Sequence, residues 1–558
     1  MATDRPTDQT WAAGQATPGP RSLLFMALMA LAVGVVAGLG AWGFRVLIGL
    51  VHNLLFLGVF DVAYDANQHT PTNPWGAGVV LVPVAGAVVV AWLIKNFAPE
   101  AKGHGVPEVM DAIHYNQGRI RPRVAIVKSL ASAISIGSGG SVGREGPIVQ
   151  IGSAFGSTLG SLVPMRPGDR VTLIAAGAGA GIAATFNAPL GGIVFAVELL
   201  LVSVNARNLL LMTLATVLAV HISRLLLGID PSFDVPALEI PVFSLFQPAS
   251  FIVFAILGVA MGLVSVAFIR GLYWMEDLFD AMPGNYYTRH TLGMLGVGVT
   301  IYLLWRYTGR YYVEGVGYAT IMDIIQGSLS SPWFLLLLAA LKLLVTCLSL
   351  GSGASGGVFS PALFMGATVG AAFGQLCHIL MPGLDVGVPT FAIAGMAASI
   401  AGSTGAVLTS IVMLTEMTKD HSIILPLVIA CTVAYAVRRA ILDDSIYTMK
   451  LRARRHTVPQ GLHASVLNAE AIRDLATTNF AVVPAGDAVP ADVPFIVHSE
   501  DGSITGVTQY PLPQPEGAEP RPAGRPMRHI LVSSQATPVM AARALLGVEN
   551  GLLLVSRR

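Results

Sequence analysis

The sequence predicts an all-α polytopic membrane protein made of two homologous halves, followed by a small α/β domain. Three observations lead there: too little charge for a soluble surface, a succession of apolar runs broken by Gly and Pro, and an internal repeat. Of 558 residues, 54% are hydrophobic and only 12% charged, with a mean hydropathy of +0.67. Globular chains carry roughly 25% charged residues, so a soluble protein of this length would lack the polar groups to cover its domains. The same numbers exclude disorder for most of the chain. Lys and Arg number 33 against 32 Asp and Glu, a net charge of +1, which gives no electrostatic case for a nucleic-acid partner. Cys347, Cys377 and Cys431 sit in apolar stretches. They read as small buried hydrophobes, without a disulfide framework or zinc spacing.

Residues 1–21 form a polar, proline-containing tail. The run from about Leu23 to Phe56 lacks the short core and cleavage site of a signal peptide, so it reads as a permanent span. Further runs lie at about 77–97, 124–136, 148–164, 171–202, 208–227, 250–272, 291–305, 333–350, 357–381, 389–414 and 422–442. Several are shorter than the roughly 20 residues that cross a bilayer. Broken backbone at membrane depth is tolerated only where protein or an aqueous cavity covers it. The span 22–450 therefore reads as one bundle of tilted, partly broken helices. Arg438, Arg439, Lys450, Arg452, Arg454 and Arg455 follow the last run, which argues for a cytoplasmic C-terminus. Residues 451–558 hold 11 of the 34 prolines, a change of character that marks a separate domain. Its patch PLPQPEGAEPRPAGRP (511–526) reads as a loop. FAVVPAG, VPFIVHSEDGSITGV and HILVSSQ read as strands, and Pro538–Leu546 as a helix.

The repeat appears when 137–160 (GSGGSVGREGPIVQIGSAFGSTLG) is set against 351–374 (GSGASGGVFSPALFMGATVGAAFG): 9 of 24 positions agree, including Pro147 with Pro361. At the same offset of 214, Lys128 falls on Lys342. A second block, 176–198 against 394–416, agrees at 10 of 23 positions at offset 218, ending with Glu198 on Glu416. Two adjacent blocks at nearly equal offsets predict homologous halves at about 75–227 and 290–442, as in many secondary transporters. Identity does not say whether the halves are parallel or inverted.

Each half holds a glycine-rich break followed by proline: Gly143-Arg144-Glu145-Gly146-Pro147 and Gly356-Gly357-Val358-Phe359-Ser360-Pro361. Proline favours the first helical position, so Pro147 and Pro361 are expected to begin helices inside the membrane. Their free N–H groups and positive dipole ends then make an anion site. Gly103-His104-Gly105-Val106-Pro107 follows the same logic. The plain alternative for each break is a turn or a close helix contact. Glu145 stands out, because a carboxylate at membrane depth is costly unless it serves a path. Ionised, it would compete with an anion for the same N–H groups; protonation would release it, making a proton-sensitive gate. The plain alternative is a capping carboxylate. Lys128 and Lys342 either add positive potential or snorkel to an interface.

GSGGSVGREGP, GGVFSP and SIYTMKL (445–451) resemble the CLC chloride channels and transporters over about residues 25–455. The resemblance implies two inverted-topology halves of broken, tilted helices, and a homodimer with one pore per subunit in the plasma (inner) membrane. It implies that Glu145 is the gate and that Val358 and Phe359 offer central N–H donors to the anion. Arg144, Gly146 and Ser360 would line the outer part of the path, and the Tyr447 hydroxyl would close its inner end. His104 stands where the family usually has a small residue, often Ser, facing the anion. The imidazole either donates to the anion or turns away to a carbonyl. Proton-exchanging members carry acids at the positions of Leu199 and Met110, so the resemblance leans towards passive chloride conduction, with proton-coupled chloride exchange as the alternative.

The tail, 451–558, is weakly similar to CBS-type nucleotide-sensing domains, which would make an adenine nucleotide its ligand; a purely structural tail is the other reading. Within the membrane domain no cofactor is expected beyond chloride and protons as transported ligands. Rival classes are a membrane metalloenzyme, suggested by His104, Glu108, Asp111 and His114, and a cation symporter. Against the first stands the lack of a metal-binding helical pair such as HExxH. The second would need carbonyl-rich helix C-termini at the breaks.

Overall fold

The structure, a computed structural model, describes residues 21–201, 204–228, 233, 248–383, 386–454, 456 and 458, and five strands between 480 and 556. These residues fall into two compact units, one spanning Pro18–Leu201 and Asn205–Val458, the other containing the strands.

The first unit is helical. Its first half comprises α1 (Leu23–His52), α2 (Leu81–Phe97), α3 (Val106–Tyr115), α4 (Pro122–Gly137), α5 (Glu145–Leu162), α6 (Pro167–Phe186), α7 (Pro189–Leu199) and α8 (Ala206–Leu227). The second comprises α9 (Pro248–Ala281), α10 (Tyr286–Thr308), α11 (Tyr318–Ile325), α12 (Pro332–Ser352), α13 (Phe359–Leu380), α14 (Val388–Thr404), α15 (Val407–Thr418) and α16 (Ile424–Ile441). A short α17 (Thr448–Ala453) closes the unit. Seven described segments are long and apolar enough to cross a membrane; with the family established below, the chain is an integral membrane protein.

The halves pack alike. Helix α5 lies on α6 as α13 lies on α14; α1 meets α6 and α8 as α9 meets α14 and α16; α2 meets α4 as α10 meets α12. The repeat thus takes in α1 and α9, beyond the 75–227 and 290–442 that identity suggested. Close approach of backbones carries this packing. A Cβ on Gly152 would strike the carbonyl of Gly177 between α5 and α6, and one on Gly366 would strike that of Gly395 between α13 and α14.

Helices α7 and α15 settle the direction of the halves. Glu198, near the end of α7, accepts from the N–H groups of Leu408 (3.1 Å) and Thr409 (2.8 Å) at the start of α15. Glu416, near the end of α15, accepts from Leu190 (3.1 Å) and Gly191 (2.7 Å) at the start of α7. Each carboxylate caps the other helix, so the two run antiparallel and the halves are inverted. Capping satisfies otherwise orphaned donors.

Three expectations change. Pro147 and Pro361 are the third residues of helices that begin at Glu145 and Phe359, and Pro107 is the second residue of α3. Any of the first four N–H groups of a helix is unpaired, so proline costs little throughout the first turn. The apolar run 171–202 is two helices, parted at Asn187, whose φ of 57° ends α6. Neither lysine snorkels: Lys128 and Lys342 are both fully buried.

The second unit is a five-stranded sheet in the order β1 (Phe480–Pro484), β2 (Phe495–Glu500), β3 (Ser503–Gln509), β4 (Arg525–Ser533), β5 (Gly551–Ser556). Outer pairs are parallel and inner pairs antiparallel. Strands β1 to β4 arise in the segments the alternation marks; β5, a continuous GLLLVS run, carries no alternation to mark it. The Pro538–Leu546 helix and residues 511–524 of the proline-rich patch lie outside the described residues, and so do the connections on which a nucleotide-sensing reading depends.

Candidate functional site

The glycine-rich breaks of the two halves meet. The N–H groups and carbonyls of Gly143 and Gly357 exchange hydrogen bonds of 2.7 and 2.6 Å. Gly103 donates to the Ala354 carbonyl (3.1 Å) and accepts from the Gly356 N–H (3.2 Å). A Cβ on Gly146 would strike the His104 carbonyl, so these segments have no room for side chains between them. Helices α5 and α13 therefore start from one knot of backbone, their N-termini converging, as two halves with inverted topology require.

A fourth break, not singled out from the sequence, completes the knot. Gly315-Val316-Gly317 leads into α11 as Gly103-His104-Gly105 leads into α3, at an offset of 212. Gly105 and Gly317 sit at φ of 82° and 80°, a region that L side chains avoid. Lys128 Nζ donates to the carbonyls of Ala101 (3.0 Å) and Gly103 (2.6 Å). Lys342 Nζ donates to those of Val313 (2.9 Å) and Gly315 (2.7 Å). Lys342 satisfies carbonyls that a short loop would otherwise leave orphaned in a dry interior, and Lys128 adds a second donor to the Ala101 and Gly103 carbonyls, which also accept from Ser355 Oγ and the Gly356 N–H.

Glu145, 2% exposed, turns its carboxylate away from its own helix and onto α13. Oε1 accepts from the Tyr318 hydroxyl at 2.7 Å and from Ser360 Oγ, and Oε2 faces the Ser360 N–H at 3.4 Å. The Tyr318 hydroxyl also lies 2.8 Å from Ser360 Oγ. Val358 and Phe359, at the mouth of α13, are buried at 2% and 3% exposure. The Arg144 guanidinium lies over the Tyr318 ring, 5.2 Å from its centroid, and its Nε has no partner among the described residues. The carboxylate thus occupies the positive end of α13, where an anion would also be most stable. Tyr318 was missed by sequence reading. The G-x-G preceding it, repeated from 103–105, is the signal that would have found it.

His104 is 3% exposed and does not turn to a carbonyl. Its Nε2 lies 3.3 Å from the Tyr273 hydroxyl, which donates to the Ile446 carbonyl at 2.6 Å. Its ring stands between Tyr273 and Tyr447, with centroids 6.3 and 6.2 Å away. Tyr273, on α9, had no sequence signal: a lone tyrosine in an apolar helix is unremarkable. Tyr447 is 2% exposed and caps α17. Met110 is buried on α3, and Leu199 ends α7. The acids that suggested a metal centre are engaged elsewhere: Glu108 takes both Nη atoms of Arg454 (2.9 and 2.5 Å), and Asp111 takes His456 Nδ1 (2.5 Å). Among the described residues no group of three or more His, Cys, Asp or Glu could hold a metal.

Inverted halves with helix N-termini converging on a buried carboxylate define a class, a polytopic ion-transport fold. The voltage gated chloride channel family model matches residues 86–439, and the chain belongs to that family. A relative, the H(+)/Cl(-) exchange transporter ClcA of Vibrio parahaemolyticus, is 33% identical over 444 residues, 77% of this chain and 90% of its own. Chloride channel protein CLC-f of Arabidopsis thaliana is 32% identical over 74% of this chain and 53% of its own. The solved structure of a slow cyanobacterial Cl-/H+ antiporter superposes with TM-score 0.67 at 26% identity, covering 78% of this chain and 99% of that one.

Proposed function

We propose that the protein is a proton-coupled chloride exchanger of the plasma membrane, a homodimer with one path per subunit and its C-terminus cytoplasmic. The observation that carries this reading is the seat of Glu145 on α13. Carboxylate and anion compete for one set of donors, and two negative charges within a few ångströms in a low-dielectric site repel strongly. An arriving anion therefore favours the protonated, displaced gate; a departing anion favours the ionised, seated one. That mutual exclusion couples proton uptake to chloride occupancy.

In this reading the N–H groups of Val358 and Phe359 and the Ser360 hydroxyl hold the anion, and Arg144 and the Gly146 backbone lie on its outer approach. His104 and Tyr447 border the inner end. Exposed apolar side chains on α7, α8, α15 and α16, such as Leu190, Val217, Leu408 and Leu425, support a surface shared by two subunits or covered by lipid. The basic residues after α16 support the cytoplasmic C-terminus.

Passive conduction, favoured by the absence of acids at Leu199 and Met110, becomes the second reading. The relatives named as H(+)/Cl(-) exchangers and antiporters support exchange better, and a missing inner acid removes one route for protons without removing the gate. The test is reconstitution in liposomes with a chloride gradient, recording proton movement beside chloride efflux. Uphill proton movement is expected; chloride efflux with no proton driven uphill would leave a channel or an uncoupled pore.

A further inference from the structure

A small polar pocket, open on one side and with about 30 Å³ of room for water centres, is lined by Tyr318 and by a second, partly buried carboxylate, Glu314. Helix α1 carries the chain from Arg21 across to the 58–75 segment, and α2 returns it towards α3, which packs on α17 and whose Glu108 pairs with the basic Arg454. The pocket, bordered by 64–70 and 311–319, thus opens on the face opposite Arg454. With the orientation proposed above, that face is the outer one.

We propose that Glu314 is a proton-loading residue for the gate, receiving protons from the outer solution and passing them through the Tyr318 hydroxyl to Glu145. The argument rests on connectivity. Glu314 Oε1 lies 3.3 Å from His52 Nδ1, and His52 Nε2 lies 3.3 Å from Thr70 Oγ1. The imidazole is wedged between Phe56, whose ring is 5.0 Å away, and Tyr64 at 4.8 Å. Carboxylate and imidazole together hold a transferable proton in a site screened from bulk water. Tyr318 lines the same pocket, and its hydroxyl, on the side away from Glu314 in the relay, donates to Glu145 Oε1.

The transfer balances as a relay. A pocket water protonated by the Glu314 carboxyl gives a proton to Tyr318 Oη while Tyr318 passes its own proton to Glu145 Oε1. Tyrosine ends neutral, Glu145 becomes a carboxylic acid, and Glu314 returns to carboxylate for reloading. The pocket leaves about 30 Å³ for water centres, and one water needs roughly 10–15 Å³ on that measure, so about two waters fit.

The charges around Glu314 come from every packed element. From α1 come His52 and, farther off, Arg45; from the 58–75 segment come Tyr64, Asp65 and Thr70; Tyr311 precedes it on its own loop. Lys342 of α12 is pinned to the carbonyls on both sides of Glu314, and Arg144 reaches towards the pocket over Tyr318. His69 and Arg310 meet Asp323 at the rim at 2.8 and 2.6 Å. Both groups engage Asp323, leaving Glu314 as the carboxylate that lines the pocket and meets the His52 imidazole. The proposal rests on the exchanger reading for its direction, and its test separates the two.

Glu314→Gln keeps the shape of the side chain and removes its titration. In liposomes, turnover of this variant at neutral outside pH should fall about tenfold, a modest share of what a positioned acid or base contributes, and recover at acid outside pH. Imidazole buffer outside should restore the neutral-pH rate, because a small mobile acid can replace a lost relay. In a Glu145→Ala background the same substitution should leave chloride flux unchanged, since no gate remains to load. An unaltered outside-pH profile, failure of imidazole to rescue, or an equal loss of flux in the Glu145→Ala background would overturn the proposal. If wild-type protein drives no protons uphill, the exchanger reading fails; the pH profile and buffer rescue of chloride flux still decide whether Glu314 loads the gate.

Discussion

In the first half the turn Gly103-His104-Gly105 leads into α3; in the second, Gly315-Val316-Gly317 leads into α11. A buried lysine ties down each turn, Lys128 in one and Lys342 in the other, through the same kind of paired carbonyl contacts. The longer helices α5 and α13 start side by side, yet Glu145 heads the first and Phe359 the second. His104 corresponds to Val316, and Val106, which begins α3, corresponds to Tyr318, which begins α11. Backbone geometry is duplicated and chemistry is not. The repeat supplies converging helix ends; the differences place a carboxylate at one of them and, in the other half, the Ser360 and Tyr318 groups that it meets.

Substitutions that erase one of these differences should have the largest effect. Glu145→Ala leaves both central N-termini without an acid, so proton coupling should vanish and chloride flux should lose its response to outside pH. Liposome flux across an outside-pH series checks this, and an unchanged acid response would sink the gate assignment. Breaking what the halves share should cost stability instead. Lys342→Met strands two buried carbonyls, a loss of about 3 kcal/mol, whereas Lys128→Met leaves the Ala101 and Gly103 carbonyls their second donors, Ser355 Oγ and the Gly356 N–H, so the thermal unfolding midpoint in detergent should fall in both and further at Lys342. Equal falls, or a larger fall at Lys128, would show that the second donors in the first half do not compensate.

Tyr318→Phe sharpens the comparison by removing the hydroxyl that has no counterpart at Val106. A hydrogen bond to a charged group contributes about 1.5–3 kcal/mol, so the seated gate should loosen and chloride flux at alkaline outside pH should rise about tenfold or more. Flux equal to wild type under those conditions would show that Ser360 alone holds the carboxylate. The smallest effect is expected at Tyr447→Ala. Opening the inner end should weaken the preference for chloride over larger anions by a few-fold, measured by competition flux; wild-type preference would count against an inner-gate role for Tyr447.

Much of this was legible in the residues. Low charge and broken apolar runs predict a membrane bundle; aligned glycines and prolines predict halves and mark 143–147 and 356–361 as helix starts. The fourth break was not legible, because Gly315-Val316-Gly317 lacks the proline that drew attention to the other three. Nor did the sequence distinguish a snorkelling lysine from a buried one: the partners of Lys128 and Lys342 are loop carbonyls, which have no residue-type signature.

By itself, then, the sequence determined where the chain must enter the membrane, where its helices must break, and that one break carries an acid. These are properties of composition and local conformation, set by hydrophobic transfer and by the φ freedom of glycine. Only the tertiary structure decided that the halves are inverted, that Glu145 rests on the N-terminus of α13 under Tyr318, and that His104 faces Tyr273. Each depends on which distant segments meet, and Glu145 and Tyr318 are 173 residues apart. Long-range packing chooses such partners by satisfying buried donors and acceptors, a constraint that no local pattern records.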